Sequence, residues 1–300
     1  MEESKIEIIT IEDKEYPQKL KQIYDPPQIL YIKGNKEILN NKSIGIVGCR
    51  DASEYGKKSA KYFGYELAKK GYNIISGLAY GIDSIAHKKC LENFGKTIAV
   101  LPSGLENICR LTNKEIFNEI LQNKGLIISE YENNVSADSK KFLERNRIVA
   151  GLGLGTLVVE AGYRSGTSVT ARFTVENGNS LFCIPSSLEN IKGKTTNLLI
   201  QQGAKLVISA EDIITELSRT NPNIRFIKME NKSAKNFLNV EPELQKVFQI
   251  INNEPKDINQ IARRTRIPVS EANYKIMMLQ IDNKVIELPG QRYIRNEGED

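Results

Sequence analysis

Apolar and polar positions alternate in a regular rhythm from Ser43 onward, with short apolar runs separated by longer amphipathic stretches. The apolar runs predict β-strands, which are SIGIVG (43–48), YNIISG (72–77), KTIAVLP (96–102), GLIISEY (125–131), GTLVVEA (155–161), NSLFCIP (179–185) and AKLVIS (204–209). The stretches between them predict helices near 55–70, 82–93, 113–123, 142–152, 167–177 and 195–202. Runs of almost continuous Val, Ile and Leu are typical of a parallel sheet that is covered on both faces. The pattern therefore predicts an α/β fold, an extended Rossmann-like, doubly wound and mostly parallel sheet.

This sheet domain is predicted to cover residues 43–218. Residues 1–42 come before it and form an N-terminal preamble, which ends in the strand-like stretch 28–32. Pro26 and Pro27 exclude a helix directly before that stretch, because proline lacks the backbone donor and restricts the residue before it.

The remainder of the chain is predicted to be a linker and a second domain. Residues 219–239 are polar, rich in Asn and Lys and only weakly periodic, which is typical of a linker. Residues 240–300 predict three helices, PELQKVFQIINN, DINQIARRT and SEANYKIMMLQIDNK, followed by the strand pair VIEL and RYIRN. Three helices and a β-hairpin make the winged helix-turn-helix pattern.

Composition narrows the setting of the protein. The sequence has no apolar run of about 18 residues that could span a membrane, and its first residues lack the basic and apolar regions of a signal peptide. Four scattered cysteines fit reduced thiols. We therefore expect a cytoplasmic protein with no membrane partner. The formal net charge of +5 favours an anionic partner, but only weakly.

Ligands of an open α/β sheet bind at the carboxyl ends of its strands, so the turn after each strand is informative. After the first strand, GCRDASEYG places Arg50 beside the N-terminus of the next helix. Backbone N–H groups and a guanidinium together suit a phosphate. A surface arginine that pairs with Asp51 is the alternative. The turn lacks G-x-G-x-x-G, so no dinucleotide cofactor is predicted.

The turn after the second strand is rich in glycine. Gly77 and Gly81 would let the backbone approach a ligand closely, and Asp83 falls in the first turn of the next helix. His87, the single histidine, is expected to be structural, because neither a second histidine nor a cysteine cluster accompanies it. No metal site is predicted.

Two later segments bring basic groups and hydroxyls toward the same edge. The segment FLERNR and the two lysines before it contribute a run of positive charge. The segment RSGTSVT opens a helix directly after a strand and exposes backbone donors to an anion. Their convergence with Arg50 predicts a groove for a phosphate backbone.

In their order along the chain, these segments resemble the DprA/Smf family. The resemblance runs from about Tyr16 to Ser209 and rests on VGCRDASEYG, SGLAYGIDSIAH, TIAVLPSGL, ISEY, FLERNRIVAGL, LVVEAGYRSGTSVTA, FCIP and LIQQGAKLV. It implies a Rossmann core that binds and protects single-stranded DNA as a homodimer. It also implies delivery of the strand to the RecA recombinase in natural transformation, with no catalysis and no cofactor.

The resemblance also implies a set of residues that contact DNA. By position they are Arg50, Ser76, Gly77, Gly81, Asp83, Lys140, Lys141, Arg145, Asn146, Arg147, Ser165, Gly166 and Thr167. The sequence departs from the family pattern in places: Cys109-Arg110 stands where Tyr-Pro is usual, and Pro185-Ser186 replaces Pro-Gly. The helical domain that many members carry before the preamble is expected to be absent.

Two other functions remain open on the sequence. The related LOG-type phosphoribohydrolases carry the motif PGGxGTxxE, and here Thr170 stands in place of its glutamate. Glu160 is the nearby carboxylate, but it is expected to accept hydrogen bonds from the rim. A regulator that reads duplex DNA through residues 240–300 is the other alternative, favoured by the cluster Arg263, Arg264 and Arg266.

Overall fold

The structure is a computed structural model and describes residues 5–109, 112–162, 165–220, 242–252, 254–281, 284–288 and 292–296. The chain divides into two compact units, Met1–Arg225 and Phe226–Asp300. Most of the predicted linker, residues 221–239, lies outside the described residues, and so does Arg110. Residues 219 and 220 belong to a helix of the first unit, so the linker does not begin at residue 219.

A single large sheet runs through the described part of the first unit. Its nine strands are β1 (Glu7–Thr10), β2 (Ile29–Gly34), β3 (Ser43–Val47), β4 (Asn73–Ser76), β5 (Thr97–Val100), β6 (Leu126–Ser129), β7 (Gly155–Val158), β8 (Ser180–Cys183) and β9 (Lys205–Leu206). Every pairing from β3 to β9 is parallel, as predicted. All residues of β3, β4, β5, β6 and β7 are buried, which explains their continuous apolar runs.

Helices cover the two faces of this sheet. They are α1 (Gln18–Lys21), α2 (Glu54–Lys69), α3 (Ile82–Glu92), α4 (Lys114–Gln122), α5 (Ser139–Leu152), α6 (Gly166–Glu176), α7 (Lys194–Gln201) and α8 (Ala210–Thr220). Apolar side chains of α2, α3 and α8 form one core with the sheet, whereas those of α1, α5 and α6 form another on the opposite face. The doubly wound architecture predicted from the sequence is confirmed.

The order of the strands locates the place where a ligand would bind. It is β1-β2-β6-β5-β4-β3-β7-β8-β9, so the chain moves outward from β3 in one direction and later returns to build outward from β7 in the other. Crevices form at such a switch point, because the connections after the two central strands leave on opposite faces of the sheet. The carboxyl ends of β3 and β7 therefore define the candidate site.

The preamble is an integral part of the sheet. β2 pairs antiparallel with both β1 and β6, which extends the parallel sheet by two strands at one edge. Tyr16 is fully buried, and its hydroxyl donates a hydrogen bond of 2.7 Å to the carbonyl oxygen of Pro27. The strand predicted at 28–32 corresponds to β2.

Helix α8 was absent from the predicted elements. Its buried positions Ala210, Ile213, Ile214 and Leu217 have the spacing of an amphipathic helix. The Ser209 hydroxyl accepts a hydrogen bond from the Asp212 N–H at 3.3 Å, and the Asp212 carboxylate accepts from the backbone N–H groups of residues 208 and 209, so the start of the helix is capped. The signal was thus present in the sequence directly after the last predicted strand.

The described part of the second unit contains the elements predicted for residues 240–300 and one short additional strand. They are α9 (Pro242–Ile250), β10 (Lys256–Asp257), α10 (Ile258–Thr265), α11 (Val269–Ile281), β11 (Val285–Leu288) and β12 (Arg292–Arg295). The strands form an antiparallel sheet in the order β10-β12-β11. Asp257 caps α10 through a reciprocal capping box with Gln260.

Among the described residues, no helix is long and apolar enough to cross a membrane. The four cysteines are free thiols, and burial raises the pKa of Cys90 and of Cys183 to about 12. The described residues also contain no group of three or more His, Cys, Asp or Glu side chains arranged to hold a metal ion.

Candidate nucleic-acid interface

A cavity of about 860 Å³ opens at the switch point of the sheet. Its walls come from the turns after β3, β4 and β7, from the start of α5 and from Lys192. The predicted contact residues that line it are Arg50, Gly77, Asp83, Arg145, Asn146, Ser165, Gly166 and Thr167. The remaining predicted residues are not part of its lining: Ser76, Gly81, Lys140, Lys141 and Arg147.

Arg50 is the exposed cation of this cavity. The residue is exposed, and its guanidinium lies 5.0 Å from the centre of the Phe142 ring, within cation–π distance of another residue that lines the cavity. No carboxylate lies within ion-pair distance of it in the part of the chain that the structure describes. The alternative of an Arg50–Asp51 pair does not hold, because Asp51 binds Lys192 at 2.7 Å instead.

The glycines after β4 are required by close packing. Gly81 has a φ of 85°, which side chains rarely adopt, and an added Cβ would collide with the carbonyl oxygens of Cys49 and Arg50. The backbone N–H of Ile82 donates to the Cys49 carbonyl at 3.2 Å. The turn after β4 is therefore locked against the turn that carries Arg50, although Gly81 itself does not line the cavity.

Arg145 is buried below the surface of the cavity. Its guanidinium donates to the carbonyl oxygens of Gly77, at 2.9 Å, and Val100, so it ties together the ends of β4 and β5. A Cβ on Gly77 would lie 2.5 Å from the same guanidinium. Burial lowers the pKa of Arg145 to about 10, and the nearby charge of Asp83 opposes that shift.

Asp83 balances the buried charge from the start of α3. It is buried and accepts a hydrogen bond from the Gly77 N–H at 3.2 Å. Burial raises its pKa, whereas the charge of Arg145 and the backbone donors lower it. Both residues line the cavity and support the glycine turn. Part of the charge that the sequence predicted to converge on the site is therefore buried and paired within the protein.

The start of α6 forms the opposite wall. Asn146 donates from its side-chain amide to the Gly166 carbonyl at 3.1 Å and accepts from Arg145 at 3.2 Å, which joins α5 to α6. The hydroxyl oxygen of Ser165 is buried and has no hydrogen-bond partner among the described residues. A buried hydroxyl of this kind is normally satisfied by water or by a ligand. The first N–H groups of a helix also lack intrahelical partners.

The remaining predicted residues have other partners. Lys140 pairs with Glu144 at 3.4 Å, and Lys141 pairs with Asp138. The hydroxyl of Ser76 is buried and donates to the Ile46 carbonyl at 2.6 Å. None of these three lines the cavity.

Arg147 is on a different side of α5 from the cavity. Two nitrogens of its guanidinium donate to the two carboxylate oxygens of Glu130, at 2.9 and 2.7 Å, and the third donates to Asp25 at 2.9 Å. Burial alone would lower its pKa, but the bonds with Glu130 raise it. Arg147 therefore joins α5 to β6 and the preamble, and the expectation that it would converge with Arg50 needs correction.

Among the lining residues that the sequence did not indicate, two have side chains suited to binding a nucleic acid. Lys192 comes from the loop after β8, and Phe142 from the first turn of α5, where its ring packs under Arg50. Phe142 could have been recognised as an aromatic beside the basic segment. Lys192 carried no such signal, because the sequence does not say which loop folds back over the switch point.

Glu160 supports the turns around the cavity. Its carboxylate accepts hydrogen bonds from the backbone N–H of Ser53 at 2.9 Å, from the Ser53 hydroxyl at 2.5 Å and from the Asn190 amide at 3.0 Å. Gly56 leaves room for this carboxylate, since a Cβ there would overlap it. Thr170, at the position of the hydrolase glutamate, is buried in α6. Glu160 is thus used structurally, as the sequence predicted.

His87 is a buried structural residue. Its Nδ1 lies 2.6 Å from the Thr97 hydroxyl oxygen, which in turn donates to the Ile74 carbonyl, so Nδ1 carries the proton in this pair. Burial lowers the pKa of His87 to about 3, and the charge of Arg145 adds to the effect. The ring is therefore neutral at physiological pH.

Comparison with known proteins places this architecture in one family. A profile of the family described as "DNA recombination-mediator protein A" matches residues 7–218. The DNA processing protein DprA of Bacillus subtilis is 38% identical over 73% of this chain and 74% of its own length. Protein Smf of Escherichia coli is 32% identical over 98% of this chain and 79% of its own length.

Two solved structures extend the comparison. The X-ray structure of DprA from Streptococcus pneumoniae is 39% identical, with a TM-score of 0.67 over 72% of this chain and 75% of that one. A Helicobacter pylori DprA structure, described as showing a unique single-stranded DNA binding mode, is 31% identical. Its TM-score is 0.64, and the match covers 73% of this chain and 99% of that one. The matched profile and these relatives lead to one conclusion: the chain belongs to the DprA/Smf family of DNA recombination-mediator proteins.

Proposed function

We propose that this protein binds and protects single-stranded DNA in the switch-point cavity and delivers it to the RecA recombinase during DNA processing. The observation that carries the proposal is Arg50, an exposed guanidinium with no ion-pair partner in the described residues, held by Phe142 across a cavity built on glycine turns. The single-stranded DNA binding mode described for the Helicobacter pylori relative supports the same ligand.

The proposed contacts separate into two kinds. Arg50 and Lys192 would bind phosphate oxygens, together with the first N–H groups of α6 and the unpartnered Ser165 hydroxyl. Phe142 would offer its ring to a base, because stacking on an aromatic side chain is tolerant of sequence. Arg145 and Asp83 would hold the glycine turn and would not depend on direct contact with DNA.

Fluorescence anisotropy can test the ligand class directly. The protein is titrated into labelled single-stranded DNA and duplex DNA of equal length, and free nucleotides are added as competitors. We expect tight binding of the single strand, weaker binding of the duplex and little competition by nucleotides. Preferential binding of nucleotides, or release of base from nucleoside monophosphates, would favour the phosphoribohydrolase alternative instead.

We further propose that the protein acts as a homodimer. An apolar groove of about 730 Å³ lies at the β9 edge of the sheet, between α6 and α7, and exposed Leu198 is part of its wall. Light scattering measures the mass in solution, and we expect a dimer that Leu198→Glu converts to a monomer; a monomeric parent protein contradicts the proposal.

The delivery of DNA to RecA needs a separate test. Stimulation of RecA assembly on DNA coated by single-strand-binding protein tests this step, and no stimulation would exclude it.

For residues 240–300 we propose a winged-helix accessory domain. The three helices and antiparallel sheet of the described residues support that arrangement, and Arg263, Arg264 and Arg266 are exposed around the end of α10. These arginines favour duplex DNA as a second ligand of the chain. The test compares the full chain with a chain that ends at Asn239. If the shorter chain loses only duplex binding, the proposal is supported. If it loses single-strand binding, the main site lies in residues 240–300.

A further inference from the structure

The solvent face of α2 carries a stripe of tyrosines and lysines. Five exposed residues lie opposite the buried side of this helix and are spaced 3, 4 or 7 positions apart. We call them the α2 stripe: Tyr55, Lys58, Tyr62, Tyr65 and Lys69. Such spacings fall on one side of a helix. Tyr55, Tyr62 and Tyr65 are 47%, 43% and 39% exposed, so part of each side chain is accessible to a ligand.

Two of the three tyrosine side chains in the stripe have contacts that hold them in place. Tyr62 packs edge-to-face on the buried Phe63, with 5.0 Å between ring centres and 85° between planes. The Tyr55 hydroxyl donates to the Pro185 carbonyl at 2.9 Å. Phe94, which is 93% exposed, follows Asn93, whose side-chain amide donates to the Tyr65 carbonyl at 3.4 Å. Rings held as those of Tyr55 and Tyr62 are suit stacking, because little conformational freedom is lost on binding.

The lysines on this face carry unneutralised charge. Lys57 pairs with Glu54 at 2.7 Å, and Lys70 pairs with Glu211 at 2.5 Å. In the described part of the chain, Lys58, Lys61 and Lys69 have no carboxylate at ion-pair distance. The α2 stripe therefore combines three aromatic rings with two lysines that have no ion-pair partner among the described residues, which is the composition of a surface that follows a single strand.

The stripe is continuous with the cavity. Helix α2 starts three residues after Asp51, a lining residue that binds Lys192 across the cavity edge. From Tyr55 to Lys69 the helix advances by about 21 Å, given a rise of about 1.5 Å per residue. A strand that leaves the cavity past Arg50 can thus continue along α2, where Glu54 is paired with Lys57 and Glu66 lies beside the stripe.

We propose that single-stranded DNA extends from the cavity along the α2 stripe, with bases stacked on Tyr62 and Tyr65 and phosphates beside Lys58 and Lys69. This inference rests on the proposed function, since the cavity supplies the start of the path. It predicts that the affinity of oligonucleotides too short to leave the cavity does not depend on the stripe. Strands long enough to reach the stripe should bind more tightly, because a few more of their nucleotides contact the protein.

The test uses two lengths of labelled oligothymidylate, about 6 and about 20 nucleotides; the first is near the lower end of the range of a single binding surface, about 4–16 nucleotides, and the second is above it. In the full-length Tyr62→Ala/Tyr65→Ala protein, which loses both stacking contacts, we expect at least about tenfold weaker binding of the long strand and unchanged binding of the short one. Tyr62→Phe/Tyr65→Phe keeps the rings and should bind both lengths normally. Tyr24→Ala, an exposed tyrosine outside α2, is the matched control.

The outcomes separate the stripe from the cavity. Long-strand affinity that stays within twofold in the alanine variant, with normal circular dichroism, contradicts the stripe. Equal weakening of both lengths also contradicts it. Arg50→Ala should weaken both lengths; if it weakens neither while the tyrosine variant weakens the long strand, the cavity proposal fails and DNA binds along α2 alone.

Discussion

Three arginines near the switch point differ in what their guanidinium groups contact. Arg50 is exposed and rests on the Phe142 ring, free to bind a ligand. Arg145 is buried and donates to backbone carbonyls of two strand ends. Arg147 is enclosed by Glu130 and Asp25. The same residue type therefore binds, supports the binding turn, or joins distant segments, depending on which groups surround it.

Replacing Arg147 should affect stability more than binding. Arg147→Ala leaves Glu130 largely buried without its counter-charge, and an unpaired buried charge destabilises a protein by about 3 kcal/mol. Urea denaturation measures this loss. Lys140→Ala on the same helix removes only an exposed pair and should cost less than about 0.5 kcal/mol. If Arg147→Ala has normal stability but binds DNA more weakly, Arg147 contacts DNA and this account of its role is wrong.

The buried His87 predicts sensitivity to acid. Its pKa of about 3 in the folded state lies below the ordinary value of 6.5, so the unfolded chain binds more protons between these limits. The contribution of His87 to stability is complete above pH 6.5 and falls as the pH drops toward 3. Between pH 7 and pH 5 we expect a loss of about 2 kcal/mol that His87→Gln abolishes. An equal loss in both proteins, measured by urea denaturation, would assign the acid sensitivity to other groups.

At the scale of elements, the binding surface depends on how turns pack against one another. The turn after β4 meets the turn after β3 at Gly81, and the first turn of α6 is joined to α5 through Asn146. These contacts place N–H groups, a hydroxyl and a guanidinium around one space. Each turn alone is an ordinary connection of an α/β sheet, so the site is a property of their arrangement.

Gly81 offers a direct test of that packing. Gly81→Ala adds a Cβ that collides with the Cys49 and Arg50 carbonyls and strains a φ of 85°. We expect displacement of Arg50 and at least about tenfold weaker single-strand binding, consistent with a local strain of about 1–3 kcal/mol. Gly178→Ala has a comparable φ of 68° but open space around it, and should keep normal affinity. Equal affinity of both variants would show that the turn contact does not position Arg50.

Strands and most helices could be predicted from the sequence, because the apolar runs of a doubly covered sheet are long and periodic. The separation of Arg145 from Arg147 was also readable, since residues two apart on a helix point to different sides. The earlier start of α5, at Ser139 instead of near residue 142, follows from the cap at Asp138. The role of Lys192 could not be predicted, because it depends on which loop folds back across the sheet.

At the scale of the whole molecule, the first unit contains a complete candidate interface, from the cavity to the α2 stripe. The second unit is a small fold with its own apolar core, including Leu244, Ile261 and Leu279. A modest formal net charge of +5 is compatible with DNA binding because the relevant cations are placed locally. Since phosphates would provide much of the contact, affinity should fall steeply with salt and depend little on base sequence.

The most direct measurement is the salt dependence of single-strand binding by the parent protein, Arg50→Ala and Arg50→Lys. Removing one phosphate contact should weaken binding by about tenfold or more and make the slope of log K against log salt shallower by about 0.7. Arg50→Lys keeps the charge and should retain the slope with partly reduced affinity. Arg219→Ala, an exposed arginine on α8, controls for loss of charge alone. If Arg50→Ala binds with the parent's affinity and slope, the switch-point cavity is not where this protein holds DNA.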